Sequence, residues 1–158
     1  MRPSVYLETT IPSYLTAWQS REVKMAARQQ ATSEWWGERR ESFACFVSQL
    51  VHEECAEGDP AAATRRLAAL QDLPMLATNE EVFAFASGLL ASKLVPASEK
   101  DDALHIALAT AHGMRYLLTW NFKHIANAGM FDDLRAFCLK RGYTCPVICT
   151  PEELMETR

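Results

Sequence analysis

The stretch Ser-Glu-Lys-Asp-Asp-Ala-Leu-His-Ile-Ala-Leu-Ala-Thr-Ala-His-Gly-Met-Arg-Tyr-Leu-Leu-Thr-Trp-Asn, residues 98–121, decides the fold class. Ser98-Glu99-Lys100-Asp101 has the form of a capping box, with Asp101 as the partner of Ser98, so a helix is expected to open there. The residues that follow, Ala103-Leu104-His105-Ile106-Ala107-Leu108-Ala109, are apolar on nearly every side of a helix, which implies burial rather than a solvated face. Gly113 closes the helix after Ala111. A short apolar run at 115–119 then reads as a strand and ends on Trp120-Asn121. A buried helix feeding a short apolar strand is the unit from which parallel sheets are built.

The same alternation extends in both directions. Strand signals fall at residues 4–7, 43–47, 74–77, 115–119 and 147–149, each a short apolar run. Longer helical patterns lie between them. Asp59-Pro60 places an acidic N-cap before proline at the first helical position of a helix over 61–70. Thr78-Asn79-Glu80-Glu81 and Thr150-Pro151-Glu152-Glu153 both read as capping boxes. Residues 22–40 carry Val23, Ala27 and Trp35 in a polar but periodic pattern that predicts one long helix. Right-handed crossovers then give a single α/β domain over 1–158, three layers with a central parallel sheet of about five strands.

The chain has 158 residues, 49% hydrophobic and 23% charged, which excludes a disordered or low-complexity segment. No apolar run reaches the ~18–20 residues of a membrane span, and no secretory signal precedes Val5-Tyr6-Leu7, so a cytoplasmic protein without membrane contact is expected. Five cysteines, an odd number, suit a reducing compartment in which thiols act as small apolar residues. Cys145 and Cys149 flank a strand at an even spacing, but no CxxC or paired histidine supports zinc. The net charge of -4 argues against a broad basic nucleic-acid binder, though not against an acidic cleft that holds metal. No GxGxxG, P-loop or GxSxG follows a strand, which removes the main support for dinucleotide, Walker-type and esterase readings.

In a parallel α/β sheet the reactive edge lies at the carboxyl ends of the strands. Glu8 ends the first strand. Glu53 and Glu54 lie about one turn into the helix after the second, 100° apart, so one of them must face solvent. Asp101 and Asp102 lie in the first turn of the helix before the fourth strand, and Asn121 ends that strand. Taken singly, each has a structural alternative: Glu8 could pair with a surface arginine, Asp102 could complement the helix dipole, and Asn121 could be a turn residue. Together they cluster without Lys or Arg close in sequence, and a divalent cation would relieve their repulsion. Oxygen-only ligands fit Mg²⁺ or Mn²⁺ better than zinc.

At these residues the chain resembles the PIN domain family, most closely its VapC-type toxin ribonucleases. Tyr6-Leu7-Glu8-Thr9-Thr10 is similar to the opening acid-Thr-Ser motif, with Glu8 where most members carry Asp. Ser48 through Gly58 resembles the second motif and selects Glu54 over Glu53. Asp102-Ala103-Leu104-His105-Ile106-Ala107 is similar to the third motif, which leaves Asp101 to the cap. Leu118-Thr119-Trp120-Asn121 resembles the fourth, with Asn121 replacing Asp. The resemblance implies an Mg²⁺- or Mn²⁺-dependent endoribonuclease that hydrolyses phosphodiester bonds of RNA, the toxin of a type II toxin-antitoxin pair. It implies that Glu8, Glu54 and Asp102 ligate metal, directly or through water, and that Asn121 orients water or a ligand. Thr119 and Thr9 would support the acids. A cognate antitoxin protein occupying the groove and a homodimer are the partners it implies.

The departures at Glu8 and Asn121 keep a second reading open, a catalytically degenerate module that retains fold and partner contacts. A third, a phosphatase, would want an Asp nucleophile where Glu8 stands. Tyr14, Trp18, Trp35 and Trp36 are suited either to partner contacts or to core packing. Lys123 and His124 stand where the rim of a groove would meet phosphate.

Overall fold

Val5, Tyr6 and Leu7 of β1 (Ser4–Leu7) are wholly buried, as successive side chains are only when a strand is covered on both faces. In the computed structural model, which describes residues 1–156, β1 is the centre of a five-stranded sheet. The last two residues of the expected domain lie outside the described residues. The strand order is β3-β2-β1-β4-β5 and every pairing is parallel. The partners are β2 (Ala44–Ser48), β3 (Met75–Leu76), β4 (Tyr116–Leu118) and β5 (Val147–Cys149). All five expected strands are present, β3 trimmed to two residues at the sheet edge. The α/β class and the parallel central sheet flanked by helices are as read from the sequence.

The helices are α1 (Thr10–Thr16), α2 (Val23–Glu38), α3 (Gln49–Cys55), α4 (Pro60–Ala69), α5 (Glu80–Ala91), α6 (Lys100–Ala111) and α7 (Phe131–Lys140). Connections from β1 to β2 and β2 to β3 step one way along the sheet, those from β3 to β4 and β4 to β5 the other. Right-handed crossovers therefore place α1–α4 on one face and α5–α7 on the opposite one. Side-chain packing follows that division: Phe85 of α5 meets Phe137 of α7 edge-on at 5.2 Å. Trp35 of α2, fully buried, lies 5.7 Å from Phe43 at the entry to β2. Among the described residues no helix is long and apolar enough to cross a membrane.

Local chemistry explains the helix ends, and in two places it differs from expectation. Asp59 Oδ2 accepts the Ala62 N–H at 3.0 Å with Pro60 at the first position, as the sequence implied. Gly113, at φ +68°, ends α6: its N–H donates to Thr110 and that of Met114 to Ala109, a doubly closed C-terminus that favours glycine. The Thr150 box is reciprocal, Thr150 N–H to Glu153 and Glu153 N–H to Thr150, although only a turn follows it. The Ser98–Asp101 box does not form. The Glu99 N–H is taken by the Pro96 carbonyl, so Ser98 sits inside a turn, and α6 starts at Lys100 without a side-chain cap. At α5 the cap is Asn79, which accepts from Val82, while Glu81 reaches away to Tyr143. Cys45, Cys55, Cys138 and Cys149 are buried and all five thiols are free. Burial pushes Cys149 up to about 12, which suits an apolar filler rather than a metal ligand.

Candidate metal and nucleic-acid site

The strand order makes one place in the sheet special. The chain leaves β1 toward β2 on one side, while β4 lies on the other, so the carboxyl ends of β1 and β4 flank the topological switch point. Glu8 and Thr119 stand there side by side. The Glu8 N–H donates to Leu118 O at 3.1 Å and continues the ladder, while Thr119 N–H donates to Cys149 O at 3.0 Å. Glu8 is only 4% exposed. Thr119 and Thr10 both donate a hydroxyl hydrogen to Glu8 Oε1, at 2.6 and 2.5 Å. Each hydroxyl in turn accepts a backbone N–H, Thr119 from Asn121 and Thr10 from Trp120. An oxygen that accepts from the main chain points its own hydrogen elsewhere, so both hydroxyls are aimed at the carboxylate.

Glu54 arrives from the next strand along. Ser48, the last residue of β2, caps α3 by accepting the Val51 N–H, and two turns of α3 carry Glu54 back over the edge. Glu54 Oε1 accepts from Thr9 Oγ1 at 2.6 Å and meets His105 Nε2 at 2.6 Å. Glu53 is exposed, as its 100° offset requires. Thr9 thus serves Glu54, and Thr10 shares Glu8 with Thr119.

His105 is the residue that sequence reasoning missed. It is 1% exposed in the buried face of α6 and ties three elements together. Its Nδ1 lies 2.7 Å from the Tyr6 hydroxyl, which lies 2.8 Å from Ser48 Oγ. The bonds run from the cap of α3 through β1 and α6 and back to α3 at Glu54. Burial works against a charged His105, but the Glu54 bond and the charges of Glu8, Glu54 and Asp102 prevail and raise it above its ordinary value. Burial likewise opposes ionised Glu54, yet His105 and Thr9 hold it below the usual range. Burial raises the Tyr6 hydroxyl well above its ordinary value. Raised in this way, His105 is a group buried among the acids that could share with a divalent cation the task of offsetting their charge.

Asp102 forms the third arm, in the first turn of α6. The His124 N–H can only donate, and it does so to Asn121 Oδ1 at 3.1 Å. That turns Asn121 Nδ2 to Asp102 Oδ1 at 3.0 Å. Of the two things Asn121 was expected to orient, water or ligand, it holds Asp102, itself one of the expected ligands. Burial raises Asp102 above its ordinary value, with the Asn121 bond pulling the other way.

All three expected acids act on His105, but their ligand atoms do not draw into one tight shell. Among the described residues, the three side chains whose ligand atoms lie mutually within 4.8 Å are Glu99, Asp102 and His124. Hydrogen bonds to the acids fall on one oxygen each, Oε1 of Glu8 and Glu54 and Oδ1 of Asp102. Among the described residues no hydrogen bond reaches the second oxygen of any of them. Anchored carboxylates with an oxygen to spare suit a hard divalent cation that keeps several waters.

Around the site, Tyr14 stacks on Trp120 at 6.0 Å, and Arg28 lies over Trp120 and Phe122. The early aromatics differ in burial. Trp35 belongs to the core, whereas Trp18 is 78% exposed with Arg65 against its ring.

Neither a protein-family model nor a curated protein matches the chain. The fold is nonetheless similar to a chain of the crystal structure of VapBC2 from Rickettsia felis bound to a DNA fragment from their promoter. The TM-score is 0.54 at 15% identity, over 93% of this chain and 98% of that one. At such identity the likeness is one of fold.

Proposed function

We propose that the protein is a metal-dependent endoribonuclease of the VapC type, a cytoplasmic toxin held in check by an antitoxin. The observation that carries the reading is that Glu8, Glu54 and Asp102 all face His105 at the carboxyl edge of the sheet, each anchored through one oxygen with, among the described residues, no hydrogen bond on the other. A bound Mg²⁺ or Mn²⁺ supplies two things in such chemistry, a lowered pKa for the attacking water and offset of phosphate charge. The chain's own part is positional. Thr10 and Thr119 fix Glu8, Thr9 and His105 fix Glu54, and Asn121 fixes Asp102, so these groups need little reorganisation when substrate arrives. Exposed Lys123 stands beside Asn121, suited to a phosphate of RNA.

With Mn²⁺ or Mg²⁺ the purified protein is expected to cleave RNA, and Asp102→Asn to abolish cleavage at unchanged fold. Cleavage that survives the substitution would sink the assignment. One observation favours the second reading, a degenerate module: Glu54 already has a partner in His105 at 2.6 Å, a cation when the imidazole is protonated. Calorimetry separates the two. Absence of Mn²⁺ binding at millimolar concentration selects the module.

A further inference from the structure

The Asp102 side of the site contains a nitrogen donor that no acid-only ligand set includes. Glu99, Asp102 and His124 come from two segments, the start of α6 and the loop after β4, and their ligand atoms lie mutually within 4.8 Å. His124 Nε2 is 3.8 Å from Glu99 Oε1. The loop is brought there by Asn121. A carboxylate at that position could neither donate to Asp102 nor approach it without repulsion, whereas the amide donates to Asp102 and accepts from His124 N–H at once. The amide thus removes one acid from the site and holds an imidazole, three residues further on, against the same aspartate.

We propose that Glu99, Asp102 and His124 form a mixed oxygen–nitrogen subsite that binds Mn²⁺ in preference to Mg²⁺. The inference rests on the nuclease reading only in sharing Asp102. Two carboxylates and one imidazole, completed by water, match a first-row transition ion. Mg²⁺ is typically bound through oxygen and gains little from the imidazole. Glu99, at 41% exposure, is the open side of the group, and His124, at 17%, the sheltered one.

The test is metal binding by the full chain, freed of metal with a chelator. Titration calorimetry should give tighter binding of Mn²⁺ than of Mg²⁺, and the Mn²⁺ complex should show nitrogen coupling in pulsed electron paramagnetic resonance. His124→Gln should abolish that coupling and weaken Mn²⁺ by roughly 10- to 100-fold, the range common even for partners outside the ligand shell. It should leave Mg²⁺ binding nearly unchanged, narrowing the Mn²⁺/Mg²⁺ ratio. Glu99→Gln, with the histidine in place, should weaken both ions. Nitrogen coupling that persists in His124→Gln, or equal affinity for the two ions in the parent chain, would overturn the proposal. Glu54→Gln keeps the two claims apart. It should spare nitrogen-coupled Mn²⁺ binding while abolishing RNA cleavage, so a chain that binds Mn²⁺ through His124 but never cuts RNA refutes only the nuclease.

Discussion

Replacing His105 by Gln keeps a donor for Glu54 and removes the charge, so it tests whether the buried pair is ionic. The sign follows from the two shifts. His105 is raised, so its contribution is complete below the ordinary histidine value of 6.5 and is lost as pH rises through the folded value. Glu54 is lowered, so its contribution is present above 4.5 and is lost as pH falls through its folded value. The pair is therefore most stabilising between those two pH values. Above 6.5 the native state retains a proton that the unfolded chain releases, and stability falls by up to about 1.36 kcal/mol per pH unit. A bond to a charged group contributes about 1.5–3 kcal/mol against about 1 for a neutral one. Allowing for the 27% exposure of Glu54, the Gln variant should lose about 1–2 kcal/mol at pH 6 and progressively less at pH 8. Urea unfolding followed by tryptophan fluorescence, from pH 5.5 to 8.5 with chelator present, measures both curves, and unchanged slopes with denaturant confirm a common transition. The other three histidines are common to both proteins, so the difference curve isolates His105. Parallel profiles for the two proteins would refute the ionic pair. His105→Leu, which leaves Glu54 with Thr9 alone and Tyr6 with Ser48 alone, should cost more, about 3–5 kcal/mol.

Two further expectations follow from the same geometry. Thr119→Val removes a hydroxyl that donates to buried Glu8 and accepts from Asn121; it should lower unfolding stability by about 1–3 kcal/mol, measured in urea, and weaken Mn²⁺ binding by calorimetry. Asp59→Ala removes the cap of α4, far from the acids; it should cost about 0.5–2 kcal/mol and leave metal binding untouched.

What could be read from the chain and what could not divide along a physical line. Strands announce themselves by short apolar runs, and in a parallel sheet the residues after them share an edge, so Glu8, Glu54 and Asp102 could be placed without coordinates. The choice between Glu53 and Glu54 needed only helical periodicity and the motif, and the exposed Glu53 agrees. His105 was hidden for the opposite reason. A polar residue inside an apolar helix has no local partner, and its role depends on Tyr6 and Glu54, 99 and 51 residues away. The capping box at Ser98 misled because Ser98 lies inside a turn closed by the Glu99 N–H on the Pro96 carbonyl, which moves the start of α6 to Lys100. Glu99 and His124 escaped notice as candidate ligands since nothing in their spacing shows that Asn121 folds the loop back onto α6. Thr10 was passed over in favour of Thr9 because adjacent hydroxyls cannot be told apart until the helix direction is fixed.

The bond between Thr119 and Glu8 joins residues 111 positions apart. Along a chain made from its amino end, Glu8 and Glu54 exist long before α6 supplies His105 and β4 supplies Thr119. Until those arrive, Glu8 lacks one of its two hydroxyl donors and Glu54 lacks its imidazole partner. Order of synthesis thus sets order of assembly: a ribosome-bound fragment that ends before α6 carries Glu8 and Glu54 with Thr9 and Thr10, and the hydrogen-bond network closes only when α6 and β4 pack against β1.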